Sequence, residues 1–317
     1  MNDAPNVAPK GRVSRRTFIR TLAGAGVAAA AGQPTVLRAQ ATPILTKAIP
    51  ASGEQIPVIG LGTSQVFEVG ASAAEREGPR EVLAALARIP NAVVDTSPMY
   101  GSAEEVVGDL GQALDVRARL FYATKVWTSG REAGIAQMEA SRRRLQTDRI
   151  DLMQIHNLLD WRTHLETLRD WKRDGRIRYL GVTHYHEGAH DALAAVLRAF
   201  PFDFVQLNYS LAEPESEREL LPLALERGIA VLVNRPFARG QLFSRVKDKP
   251  LPPWAKEIGC ASWGQFFLKY VIAHPAVTCA IPGTSKVKHM RDNLGAGVGP
   301  LPDATMRSRM RAHWESL

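Results

Sequence analysis

The sequence predicts an α/β fold, a (β/α)8 barrel of the TIM type entered through an N-terminal β-hairpin. Three observations carry that expectation. Short apolar runs alternate eight times with longer stretches of helical spacing. The runs are continuous rather than alternating in polarity, as parallel strands buried on both faces require. The rhythm fills about 260 residues, the length such a barrel takes. An open doubly wound sheet competes, but its first strand normally leads into a G-x-G-x-x-G turn. Here the first run continues "GLGTSQVFEVG" (60–70), which does not meet that pattern.

The elements follow in order. "ILTKAIPASGEQIPVI" (44–59) has two extended segments around "ASGE" and reads as the hairpin. Strands are expected at 58–62, 92–96, 120–126, 151–156, 177–183, 202–208, 229–235 and 276–281. Between them lie helical stretches rich in Ala, Leu, Glu and Arg, such as "REVLAALARI", "QMEASRRRLQ" and "LETLRDWKRDG". Gly175 suits the end of the last of these.

Ahead of the barrel, "SRRTFIR" (14–20) precedes a weakly apolar run and Ala39-Gln40-Ala41. That layout resembles a bacterial twin-arginine signal peptide, which addresses folded proteins to the Tat translocase. The apolar part is shorter than the roughly 20 residues a spanning helix needs. A retained anchor or a plain tail are the competing readings. The expected division is therefore a removed signal at 1–41 and one barrel domain at 42–317, periplasmic and with no stable membrane insertion after cleavage. Six basic residues against Asp3 give the signal a net +5, so the formal +8 falls to +3 for the rest. The basic excess thus belongs largely to the address, and no nucleic-acid partner is needed to explain it. Cys260 and Cys279 lie nineteen apart without metal spacing; a disulfide between them is possible in an oxidising compartment.

Chemistry in such barrels sits at the C-terminal ends of the strands. The second strand delivers Asp95, with Tyr100 on its loop; the third delivers Lys125, and the fourth His156. Neighbouring strands are about 4.8 Å apart, so these groups can converge. Singly, each has a structural explanation: a turn cap, a packed ring, an ion-pair partner, a satisfied core histidine. Jointly, at successive ends of one barrel face, they point to a catalytic site.

The segments "VVDTSPMYGSAEEVVGDL", "ATKVW", "LQTDRIDLMQIHN", "YLGVTHY", "VQLNYS" and "IPGTSKVKHMRDNLGA" resemble the aldo-keto reductase family, and the likeness runs from about Ile44 to the C-terminal region. It implies a catalytic tetrad of Asp95, Tyr100, Lys125 and His156. Tyr100 would be the general acid, Lys125 its tuner, Asp95 the partner of Lys125, and His156 the group that orients a carbonyl substrate. An unperturbed phenol pKa is near 10, and a nearby ammonium is expected to lower it. The hydride must come from a cofactor, because no side chain supplies one.

The resemblance implies a nicotinamide dinucleotide, NADPH in preference to NADH, extended across the barrel mouth. Gly62, Thr63 and Asp95 would lie along it, Thr183 would offer a hydroxyl, and Gln206 would meet the carboxamide. Phe237, Arg239, Gly240 and Leu242 of "PFARGQL" would wrap the pyrophosphate. Gly283, Thr284, Ser285, Lys286 and Asn293 would hold the adenosine end, with Lys286 and His289 beside a 2′-phosphate. Departures from the family pattern are Thr183-His184 in place of Ser-Asn, Arg235 where a stacking aromatic is expected, and His289 in place of an arginine.

Trp127, Leu158 and Tyr185 are expected to overlook the substrate pocket, suiting an apolar or aromatic carbonyl. Two readings from other classes stand beside this one. A nucleotide-binding or sensing barrel would keep the fold without turnover. A metal-dependent hydrolase would use His184-x-His186, although no third ligand is evident and no metal is expected.

Overall fold

The computed structural model describes residues 43–317; the signal segment expected at 1–41, with its cleavage site, lies outside the described residues. The chain begins with the hairpin, β1 (Thr46–Ala48) antiparallel to β2 (Gln55–Pro57). Then the barrel is laid down. β3 (Leu61–Gly62) leads to α1 (Ala73–Leu86), β4 (Ala92–Asp95) to α2 (Ala103–Ala113), β5 (Leu120–Val126) to α3 (Arg131–Leu145), and β6 (Ile150–Ile155) to α4 (Trp161–Arg173). β7 (Ile177–Thr183) leads to α5 (His190–Ala199), β8 (Phe204–Asn208) to α6 (Leu220–Glu226), and β9 (Ala230–Asn234) to α7 (Gln241–Arg245) and α8 (Trp263–Ile272). β10 (Val277–Ala280) is followed by α9 (Val287–Gly295) and α10 (Ala304–Ser316).

The eight barrel strands are parallel and pair in chain order. Closure comes from parallel bridges Ile59–Ala280 and Gly62–Gly283, with Gly60 N–H donating to Ala280 O at 2.8 Å. The first barrel strand is shorter than the expected 58–62. At Gly60 the backbone passes so close to β4 that a Cβ would lie 2.7 Å from Val93 O. The hairpin is likewise confined to two three-residue strands.

Two cores result. The inner one, enclosed by the strands, contains Val93, Phe121, Ala123, Leu152, Tyr179, Phe204, Ala230 and Leu232, with Ile49 and Ile56 of the hairpin entering from below. The outer one lies between strands and helices and takes residues such as Val82, Leu86, Leu168, Trp171 and Phe267. Lys47 ties the hairpin to the barrel floor by donating to Ile272 O, His274 O and Val277 O at 2.8, 3.0 and 2.6 Å. Cys279 belongs to the inner core and Cys260 to the outer one, and both are free thiols. The possible disulfide is thereby corrected: a strand wall separates the two sulfurs. Among the described residues no helix is long and apolar enough to cross a membrane.

Candidate active site

Strands turn alternate side chains inward, and along each strand the inward series changes from apolar to polar near its C-terminal end. On β4 Val93 is followed by Asp95; on β5 Phe121 and Ala123 by Lys125; on β6 Leu152 by Gln154. On β7 Tyr179 leads through Gly181 to Thr183, on β8 Phe204 to Gln206, and on β9 Leu232 to Asn234. The same alternation that fills the floor therefore lays a polar layer on top of it.

Asp95 is the hub of that layer. Its Oδ2 accepts from Lys125 Nζ at 2.6 Å, and its Oδ1 accepts from Gln154 Nε2 at 3.0 Å and Gln206 Nε2 at 2.8 Å. Lys125, fully buried, also donates to Thr96 O at 2.7 Å. Its nitrogen stands 5.0 Å from the Tyr100 ring centre. Burial would depress the Lys125 ammonium, but the charge of Asp95 and the Tyr100 hydroxyl outweigh it and hold its pKa above the ordinary value. The pair is thus an ion pair in which the ammonium and the other carboxylate oxygen have further hydrogen-bonded partners, which favours keeping charges out of water.

Tyr100 differs from the expectation. Burial pushes its hydroxyl above the ordinary phenol value of 10, and Lys125 pulls it back only in part. The expected lowering fails because the phenol is largely desolvated while Asp95 neutralises much of the lysine charge. His156 meets Tyr100 edge-on, ring centres 6.0 Å apart. Burial, then Lys125 and His184, depress its pKa to about 3, so the ring is neutral at pH 7. Its Nδ1 lies 3.3 Å from Ser97 Oγ.

These groups open into a cleft of about 580 Å³ lined by Gly62, Thr63, Asp95, Tyr100, His156, Thr183, Tyr185, Gln206, Arg235, Phe237, Arg239, Gly240 and Gly283, among others. That volume lies in the range of small-molecule and cofactor sites. The four expected tetrad residues are brought together, with Lys125 beneath the wall rather than in it. Thr284, Ser285, Lys286, His289 and Asn293 lie beyond the cleft, where Lys286 begins α9 and Asn293 is buried within it. Leu242 is wholly buried in the outer core and Leu158 packs against that core; neither lines the cleft. Trp127 stands beside it, its ring centre 6.3 Å from that of His156.

Arg235 lines the cleft but lies against Tyr185, the guanidinium 4.5 Å from the ring centre and Nη1 donating to Tyr185 O at 2.8 Å. Gln206 spends its amide inside the network, donating to Asp95 and to Gln154 Oε1 at 3.2 Å. His184 and His186 do approach, ring centres 4.5 Å apart, yet among the described residues no three His, Cys, Asp or Glu side chains converge as metal ligands.

Sequence reasoning missed Ser97, Gln154, Asn157 and Asn234. Counting inward positions from Leu152 and Leu232 would have found Gln154 and Asn234. Asn157 had no such signal, because it sits past the strand end at φ 54°. Asn157 Oδ1 and Asn234 Oδ1 are buried acceptors without a partner, and both residues line the cleft. Two orphaned amide oxygens suit the amide hydrogens of a nicotinamide carboxamide. Exposed Lys286, Lys288, His289 and Arg291, at an α9 N-terminus lacking a side-chain cap, suit phosphate. The residues present therefore fit a dinucleotide.

Comparison with known proteins agrees. The model of the Aldo/keto reductase family matches residues 58–315. The methylglyoxal reductase YeaE of Escherichia coli strain K12 is 28% identical over 255 residues, 78% of this chain and 88% of that protein. An aldo/keto reductase from Klebsiella pneumoniae, solved with NADP and acetate, is 26% identical with a TM-score of 0.67, covering 83% of this chain and 93% of that one. An aldo-keto reductase from Klebsiella pneumoniae solved with NADPH is 25% identical with a TM-score of 0.68, covering 87% and 96%.

Proposed function

The chain belongs to the aldo/keto reductase family, and from that premise we propose that it reduces aldehydes or ketones to alcohols, or runs the reverse, with NADPH as cofactor. The observation that carries this reading is the buried Asp95–Lys125 pair, 2.6 Å apart, set against Tyr100 and His156 at one cleft. NADPH in place supplies the hydride. Tyr100, protonated at neutral pH, holds the proton that the carbonyl oxygen takes up. The Lys125 ammonium favours the phenolate left behind, and Asp95 keeps that ammonium charged and in place. Neutral His156 is suited to donate a hydrogen bond to the carbonyl oxygen, not a proton. Asn157, Asn234 and Thr183 would hold the carboxamide end, and Arg239 with Lys286 and His289 the phosphates.

Replacing Tyr100 by Phe is the test. Reduction of a carbonyl panel that includes methylglyoxal and aromatic aldehydes should fall at least a hundredfold, in line with the weight of general acid catalysis. NADPH binding, followed by fluorescence titration, should stay within a few fold. A wild-type protein that binds NADPH yet turns over no member of the panel would instead be a nucleotide-binding barrel.

The export reading rests on the residues before the barrel: "SRRTFIR", the Ala-Gly run and Ala39-Gln40-Ala41. They support translocation by the Tat route, cleavage before Thr42 and a periplasmic site of action. Fusing residues 1–41 to a reporter and fractionating cells with and without Tat function tests it; a reporter that stays cytoplasmic in both refutes it.

A further inference from the structure

We propose that Ser97 is a positioning residue that locks His156 in the tautomer carrying its proton on Nε2, the nitrogen available to a carbonyl oxygen. The inference rests on the reductase reading above and adds a residue to it. A neutral imidazole has one N–H, on either nitrogen, and only the Nε2–H form can donate to substrate if Nδ1 faces the protein. Here Nδ1 does face the protein, 3.3 Å from Ser97 Oγ.

The hydroxyl decides which partner donates. Ser97 is fully buried, so its proton has no water to turn to. One of its lone pairs is already taken by the Met99 N–H, at 3.2 Å. His156 Nδ1 is the acceptor that the structure offers the hydroxyl proton. If the ring donated from Nδ1 instead, Ser97 Oγ would accept twice and its own proton would be left buried without a partner, a costly arrangement. The hydroxyl therefore donates, Nδ1 accepts, and the ring proton sits on Nε2. A low basicity of the ring keeps the choice one between tautomers, since burial, Lys125 and His184 prevent double protonation at neutral pH.

Ser97→Ala, a change of one buried atom, removes the lock. The ring nitrogen chemical shifts of His156 in the full barrel, assigned by their loss in His156→Gln, report the tautomer without any substrate. In the wild type they should show Nε2 protonated, and in Ser97→Ala a mixture or the Nδ1–H form. Carbonyl reduction should fall about tenfold in kcat/KM in the same variant, corresponding to about 1.4 kcal/mol. An unchanged tautomer in Ser97→Ala overturns the proposal, and so does a kcat/KM within twofold of wild type. A wild type without reductase activity would sink the reading beneath it, while the nitrogen shifts would still decide the role of Ser97.

Discussion

In the proposed reaction Tyr100 carries the chemistry and also its pH signature. Its pKa is raised above the ordinary phenol value by burial, with Lys125 pulling it back in part. A general acid works only while protonated, so kcat/KM for reduction should be lost as pH rises through that value, above about pH 10. Alcohol oxidation, which needs the phenolate, should rise through the same limb. His156, depressed to about 3 by burial, Lys125 and His184, adds no limb in the neutral range. Reduction should therefore be flat between about pH 5 and 9, and a limb near pH 6.5 would contradict a neutral His156. The convergence of Asp95, Tyr100, Lys125 and His156 was legible because each is a chemically loud group at a strand end or on the loop that follows it. Ser97 was not, since a serine two residues past Asp95 has no meaning until the fourth strand brings His156 beside it. Gln206 was legible as a residue but not in its partners: sequence cannot say whether an amide faces a ligand or an aspartate.

At the scale of elements, period and length carried most of the fold. Eight continuous apolar runs became eight strands because burial on both faces leaves no polar side to alternate. What stayed hidden was close approach, which depends on neighbours far along the chain. α2 contains Gly108 and Gly111, which in isolation only weaken a helix. In the fold Gly108 lies against the end of α3, where a Cβ would fall well inside contact distance of the Arg144 backbone oxygen. At Gly111 the added atom would meet side chains rather than backbone, the Tyr122 hydroxyl at 3.0 Å and Arg117 Cγ at 3.6 Å, so a shift of a few tenths of an ångström suffices. Propensity alone favours alanine at both by about 1 kcal/mol. Gly108→Ala should nevertheless destabilise by about 2 kcal/mol, because backbone has to move, whereas Gly111→Ala should be near neutral. Chemical denaturation of the two variants checks this, and equal stabilisation by both would mean that α2 and α3 are not in such contact.

For the whole molecule, the consequence of a cleft at the barrel mouth is linkage between nucleotide binding and folding. A ligand bound only by the folded chain at a hundred times its Kd adds about 2.7 kcal/mol of stability. For a barrel of this size that is a rise in Tm of about 5 °C. NADPH should produce that rise in scanning calorimetry, with a smaller one for NADH if Lys286 and His289 meet a 2′-phosphate. If the chain takes the Tat route proposed above, the same linkage gives folding before export a purpose. A chain that met its cofactor only outside the cytoplasm would depend on whatever nucleotide was there, whereas one that folds around NADPH first takes its own supply through. Such carriage requires release slow on the timescale of export, hence a Kd well below the micromolar range. Protein drawn from the periplasm and analysed by native mass spectrometry should then carry nucleotide in near-stoichiometric amount. Empty protein there, together with ordinary micromolar affinity in vitro, would leave the barrel chemistry intact and remove the reason for folding before export.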